Sequence, residues 1–294
     1  MEILKKYPCP FTTLDVDRIV IEAKALIDEM FTVDNLKTAF SLIDLTSLNA
    51  DDTCDKIIKM TQKVDNFNNE FPDIPNVAAI CVYPPFVKTV ATYQKNKTIA
   101  LASVGAGFPS SQTYIEVKTL ECEKAGFDGA TDIDIVISLG KWKSGEYQTV
   151  YDEIKAVKKA VGNRHLKVIL ETGILSTCEE IWKASLVAME AGADFIKTST
   201  GKTEPAATPD AAVVMCEAIK EYHKHTGRKV GFKPAGGIST SKDAIYYMAI
   251  VKSILGNEWL NNKLMRIGAS RLANNLLTDI NKQETGENSE IKYF

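Results

Sequence analysis

Short apolar runs alternate, along most of the chain, with stretches whose apolar residues recur at three- and four-residue spacing. Over residues 14–30, Val16, Ile19, Val20, Ala23, Leu26, Ile27 and Met30 form one broad helical stripe with acids and Lys24 opposite. The run FSLIDLTSLN (40–49) predicts a strand ending near Asp44, and DDTCDKIIKMTQKV after it a helix. VAAICVYP (77–84) is followed by a helix over 85–95. IALASVGAGFP (99–109) precedes a helix over 114–124 that Gly126 can close in the left-handed conformation. DIDIVISLG (132–140) leads to a helix over 146–161 stopped by Gly162, and LKVILETG (166–173) to one over 179–191 stopped by Gly192. FIKTSTG (195–201) precedes a helix opening at Thr208, with Pro209 first, where proline's missing N–H is not needed. VGFKPAGG (230–237) precedes a helix over 242–255, and LMRIGAS (264–270) a short one through Leu277.

Eight strand-helix units are what a closed (β/α)8 barrel, the TIM barrel, requires; an open doubly wound sheet usually shows five or six. Runs such as VAAICVYP and LKVILET are apolar on both faces, as strands covered by helices should be. No GxGxxG follows the first strand, so a dinucleotide crevice has little support. The expected organisation is an N-terminal helical extension over 1–38, the barrel over 39–280 and a tail over 281–294. The tail is polar, and mobility is expected up to Tyr293 and Phe294. The stripe over 14–30 could cover the barrel's own surface or a partner subunit in a homo-oligomer.

Composition narrows the function. With 45% apolar and 25% charged residues in 294 the chain is ordinary globular material. A net charge of -3 and dispersed lysines argue against nucleic acid as a partner. Six cysteines (Cys9, Cys54, Cys81, Cys122, Cys178 and Cys216) without a CxxC pair read as reduced thiols of a cytoplasmic protein. The first residues lack an apolar signal core, and no run approaches the roughly 18 apolar residues of a membrane span, so no membrane partner is expected. His165, His223 and His225 show no metal-ligand spacing, and neither metal nor cofactor is expected.

In such a barrel chemistry sits at the C-terminal strand ends. The residues closing the apolar runs are Asp44, Thr46, Cys81, Phe108, Asp134, Glu171, Thr172, Lys197, Lys233, Gly268 and Ser270. A lone strand-end lysine usually snorkels to water. Two of them, Lys197 and Lys233, change that reading: in one pocket they would depress each other's charge and leave a neutral amine able to attack a carbonyl. Asp132 and Asp134 face the same side of their strand, and Asp134, the deeper, could pair with a lysine either for catalysis or as a structural ion pair. Asp44 could cap a turn or face the pocket, and Cys81 could be core or pocket wall. Glu171 could be a supporting partner. Gly236, Gly237 and Gly268 could shape turns or, following strands seven and eight, cradle a phosphate.

ADFIKTSTGK, LKVILETG, VGFKPAGGIST, DLTSLN, AAICVYP and MRIGAS, which occur along the chain in the family's order and span about 44–277, resemble the motifs of the deoxyribose-phosphate aldolase family. The resemblance implies a class I aldolase that reversibly joins acetaldehyde to D-glyceraldehyde 3-phosphate, giving 2-deoxy-D-ribose 5-phosphate. It implies Lys197 as the Schiff-base lysine, Lys233 as the lysine that perturbs it, and Asp134 as the acid that relays protons through a bound water. It also implies Asp44, Thr46, Cys81 and Thr200 lining the pocket, and Gly201, Gly236, Gly237, Gly268 and Ser270 binding phosphate. The chain departs from the pattern at Ser111, where the family usually has glycine, and at Arg271, which replaces a serine of some members. Tyr293 is penultimate, whereas some members end in a tyrosine that reaches the site. Other Schiff-base barrels acting on ketose or pyruvyl substrates, a non-catalytic sugar-phosphate-binding barrel, and a metal-dependent aldolase are the alternatives.

Overall fold

The computed structural model of the chain describes residues 2–11 and 13–294. Eight strands carry the architecture: β1 (Ile43–Thr46), β2 (Ala79–Val82), β3 (Ala100–Gly105), β4 (Asp132–Val136), β5 (His165–Ile169), β6 (Phe195–Lys197), β7 (Gly231–Lys233) and β8 (Ile267–Ala269). From β1 to β7 each strand pairs in parallel with the next, and β1 also pairs with β8. Bridges between Phe232 and Met265 and between Ala235 and Gly268 join β7 to β8 and close the ring. The expected (β/α)8 barrel is the fold.

Period-two alternation sorts each strand into an outer and an inner set. Ile43, Leu45, Ile133, Ile135, Leu166, Val168, Ile196 and Phe232 belong to the large apolar core between sheet and helices. The alternate positions, Asp44, Asp132, Asp134, Lys167, Lys197 and Lys233, are buried on the other face, inside the barrel. A second, small apolar cluster of Leu48, Ala79, Cys81, Ala102 and Val104 fills the side formed by β1 to β3. Gly231 has no side chain because the Phe195 ring occupies its place: a Cβ there would lie 2.2 Å from Phe195 Cε1.

The helix expected to open at Thr208 does so, and a second cap that the sequence reading did not single out stands at Thr240. Thr208 accepts from Ala211 N ahead of Pro209–Thr226, and Thr240 forms a capping box with Asp243 ahead of Ser241–Leu255. Gly162 and Gly192 follow their helices at positive φ.

Three expectations need correction. Phe40 and Ser41 belong not to the first strand but to helix Val33–Ser41, which Thr32 caps and whose Leu36, Ala39 and Phe40 enter the core. Gly126 does not end its helix, which runs over Ile115–Phe127; a Cβ at Gly126 would meet the Arg164 side chain at 2.7 Å, and positive φ falls at Gly129. The last helix extends over Leu272–Thr285, and the tail beyond it is anchored. Asn274 Oδ1 accepts from the backbone N–H groups of Tyr293 and Phe294, whose rings pack on Phe67.

The N-terminal helix Thr13–Ala25 lies on helices Pro209–Thr226 and Ser241–Leu255 of the same chain, and the Tyr246 hydroxyl donates to Val20 O. Its stripe therefore covers the barrel's own outer wall. Among the described residues no helix is long and apolar enough to cross a membrane.

Candidate active site

Register determines what meets at the mouth. Lys197 ends β6 opposite Lys233, which ends β7, so both side chains enter the barrel at one level. Asp134 lies across the ring on β4, and its Oδ2 accepts from Lys197 Nζ at 2.8 Å and from Lys233 Nζ at 2.8 Å. One carboxylate oxygen thus brings the two amines together inside the barrel. Lys233 Nζ also donates to Asp44 Oδ2.

Burial and these partners split the two lysines. Burial is the largest influence on Lys197 and pushes its amine below the usual lysine range; Asp134 opposes this, and Lys233 adds to the depression. Burial alone would lower Lys233 as well, but Asp134 and Asp44 together outweigh it and hold Lys233 above its usual value, hence charged. Asp134 and Asp44 are themselves held well below the usual carboxylate range, because the cations around them outweigh burial. The buried Oδ1 of Asp134 makes no hydrogen bond among the described residues, although Lys167 Nζ lies 3.6 Å from it.

A cavity of about 530 Å³ opens over this group. Lys197, only 4% exposed, reaches its wall, while Lys233 is fully covered. Thr46, Thr200, Gly201, Gly236, Gly237, Gly268 and Ser270 line the same cavity, together with Lys202 and Arg271. A second groove, of about 830 Å³, is lined by residues 112–116, Lys141, Thr149, Asp152 and Glu153 and by none of the interior charges.

The wall is built by short-range bonding between neighbouring loops. Glu171 accepts from the backbone N–H and the hydroxyl of Thr200 and is held at φ 56, a conformation rare for glutamate. Thr198 and Ser199 both donate to Ala235 O, tying the β6 loop to the β7 loop. Gly236, at φ 83, passes so close to the β6 loop that a Cβ would meet Ala206 Cβ at 2.6 Å and Gly201 Cα at 3.0 Å. Helix Leu272–Thr285 begins at the cavity without a side-chain cap on its first amides, so the positive end of its dipole faces the opening.

Residues 38–255 match the profile of the DeoC/LacD family aldolases. The chain belongs to this aldolase family. It is 46% identical over 246 residues to a protein of Caenorhabditis elegans provisionally named deoxyribose-phosphate aldolase, covering 83% of this chain and 81% of that one. It is 42% identical over 274 residues to the deoxyribose-phosphate aldolase of Homo sapiens, covering 90% and 85%. Among solved structures, QR15, an aldolase, superposes with a TM-score of 0.69 at 27% identity, over 85% of this chain and 99% of that one.

The cavity and the interior beneath it gather the sequence candidates unevenly. Lys197, Lys233 and Asp134 converge. Asp44 is not a turn cap: it is fully buried beneath the mouth, with Lys167, Lys233 and Arg266 on its carboxylate. Cys81 is a buried member of the apolar cluster behind the lysines, its thiol pushed up by burial. Thr172 is buried, with its hydroxyl unpartnered among the described residues. Phe108 packs at the rim against Tyr83, their ring centroids 6.1 Å apart. Ser111 adopts φ 58, the glycine-like conformation its position requires. Tyr293 does not point to the site; its hydroxyl donates to Lys63 O on helix Cys54–Glu70. Two interior cations escaped the sequence reading. Lys167 bonds Asp132 at 2.6 Å, and Arg266 bonds Asp44 at 2.7 Å. The signal for Lys167 was present: between Leu166 and Val168, which face outward, it had to face in.

Proposed function

We propose that this aldolase cleaves 2-deoxy-D-ribose 5-phosphate reversibly to acetaldehyde and D-glyceraldehyde 3-phosphate through an imine on Lys197. The observation that carries the reading is the asymmetric pair on Asp134: two buried lysines on one oxygen, of which only Lys197 reaches the cavity and only Lys197 is pushed toward the neutral amine. The name borne by relatives aligned over most of the chain supports the choice of substrate.

Neutral Lys197 attacks the C1 aldehyde of the open-chain sugar, and the carbinolamine loses water to give a protonated imine. The C3 hydroxyl then loses its proton, the C2–C3 bond breaks, and its electron pair moves toward the iminium nitrogen. Glyceraldehyde 3-phosphate leaves and an enamine remains. Protonation at carbon and hydrolysis release acetaldehyde and restore the amine. Asp134, whose Oδ1 makes no hydrogen bond among the described residues, suits proton transfer to and from these intermediates through water. Gly236, Gly237 and the uncapped start of helix Leu272–Thr285 suit the phosphate, and Thr46 and Thr200 the sugar hydroxyls.

Trapping with borohydride in the presence of acetaldehyde tests the assignment. Mass mapping should place one adduct on Lys197, and Lys197→Leu protein should form none and show no turnover of deoxyribose 5-phosphate. An adduct elsewhere, or one retained in the variant, would overturn it.

A further inference from the structure

The barrel interior holds an odd balance of charge. Among the described residues four bases, Lys167, Lys197, Lys233 and Arg266, interlock with three carboxylates, Asp44, Asp132 and Asp134. Fully ionised, the cluster would carry one uncompensated positive charge in a compartment almost closed to water, which is costly. Loss of one proton balances it. A guanidinium does not release one. Lys167 touches all three carboxylates and Lys233 two, while Lys197 has only an oxygen that Lys233 also holds.

We propose that Arg266, at the closed end of the barrel, is a positioning residue for the reaction: its permanent charge engages Asp44 and Asp132 and leaves Lys197 as the base that gives up its proton. The proposal rests on the reading of Lys197 as the imine-forming amine. Arg266 Nη1 lies 2.7 Å from Asp44 Oδ1 and 3.4 Å from Asp132 Oδ2, and the guanidinium stands 5.8 Å from the Phe195 ring centre. The Phe195 ring also lies 5.7 Å from Lys167 Nζ, so one aromatic face borders both interior cations. With Arg266 satisfying the outer oxygen of Asp44, Lys233 needs to share itself only between Asp44 Oδ2 and Asp134. Without Arg266, Asp44 and Asp132 would draw Lys167 and Lys233 toward themselves, and Asp134 would be free to hold Lys197 as an ammonium.

Most strands around the amine bear on this balance. β1 brings Asp44, β2 the Cys81 thiol, β4 Asp132 and Asp134, β5 His165 and Lys167, β7 Lys233, and the start of β8 Arg266; β3 contributes no ionisable side chain. At the mouth Glu171 is engaged by Thr200 and Lys202 by the Leu48 carbonyl. His165, on Asp132 at 3.1 Å, adds charge only when protonated.

The test follows the rate of imine trapping on the full chain, with acetaldehyde and cyanoborohydride, as a function of pH. Arg266→Met should move the midpoint up by about one pH unit, about a tenfold loss of trapping at neutral pH that alkaline solution recovers. Arg266→Lys should return it toward the parent, and so should Arg266→Met combined with Asp132→Asn, which removes one charge of each sign. Asp132→Asn alone should move the midpoint down, and this measurement decides the matter if Arg266→Met does not fold. A uniformly lower rate with an unmoved midpoint, no restoration in the double variant, or an unmoved or raised midpoint in Asp132→Asn would overturn the proposal. Absence of any Lys197 adduct in the parent protein would instead sink the catalytic reading beneath it.

Discussion

Removing Lys233 is the sharpest perturbation of the amine proposed to form the imine, Lys197, that leaves that amine in place. Both nitrogens lie 2.8 Å from Asp134 Oδ2, which at ordinary hydrogen-bond angles puts them about 4 to 5 Å apart. At an effective dielectric of about 20, two unit charges at that distance repel by about 4 kcal/mol, or nearly three pKa units. Lys233 is charged, so this repulsion bears on Lys197 in the folded protein. In Lys233→Leu the repulsion vanishes and Asp134 Oδ2 is left to Lys197. The expected result is a fall of about 100- to 1000-fold in imine formation at pH 7, recovered progressively at higher pH, since activity needs the free amine and appears as pH rises through the Lys197 pKa. Stopped-flow or trapping rates measured from pH 6 to 10, on protein whose circular dichroism matches the parent, read this directly. Lys233→Arg, which keeps the charge, should retain most of the rate at neutral pH. An unmoved or lowered midpoint in Lys233→Leu would refute the electrostatic account.

Gly236→Ala should raise the KM for deoxyribose 5-phosphate while leaving turnover of unphosphorylated deoxyribose nearly unchanged; its Cβ would collide at 2.6 Å and its φ of 83 is strained, a cost of about 1–3 kcal/mol. Asp44, Asp132 and Asp134 have pKa values below their unfolded ones, so their contribution to stability is complete above the ordinary carboxylate range and is lost as pH falls through the depressed values. Thermal midpoints should therefore drop steeply below about pH 4, and a flat acid profile would contradict the buried network. Removing residues 292–294 exposes Phe67 and Phe71, at about 1–3 kcal/mol and several degrees of melting temperature. Turnover per folded molecule should change less than about twofold; a large loss would mean that Tyr293 visits the site.

How legible the molecule was depends on whether the deciding interaction is local. Thr208, Pro209, Gly162 and Gly192 punctuate their helices because capping and left-handed turns involve residues a few positions apart. Gly126 misled because its neighbour in space, Arg164, comes from a later segment. Phe40 misled because an apolar run beside a strand can equally be the last turn of a helix facing the core. The pairing of Tyr293 with Phe67 and Lys63 had no local signal at all.

Alternation of buried and outward positions, fixed by the two-residue period of a strand, is written in the order of residues, and from it came the barrel and the inward placement of Lys197, Lys233 and Asp134. Which charges surround each of the two lysines was not. That depends on Asp44, Lys167 and Arg266, which arrive from β1, β5 and the start of β8 and meet the pair only when the ring closes. Coulomb energies follow distance in space and the dielectric around the charges, and both come into being only with the closed, water-poor interior.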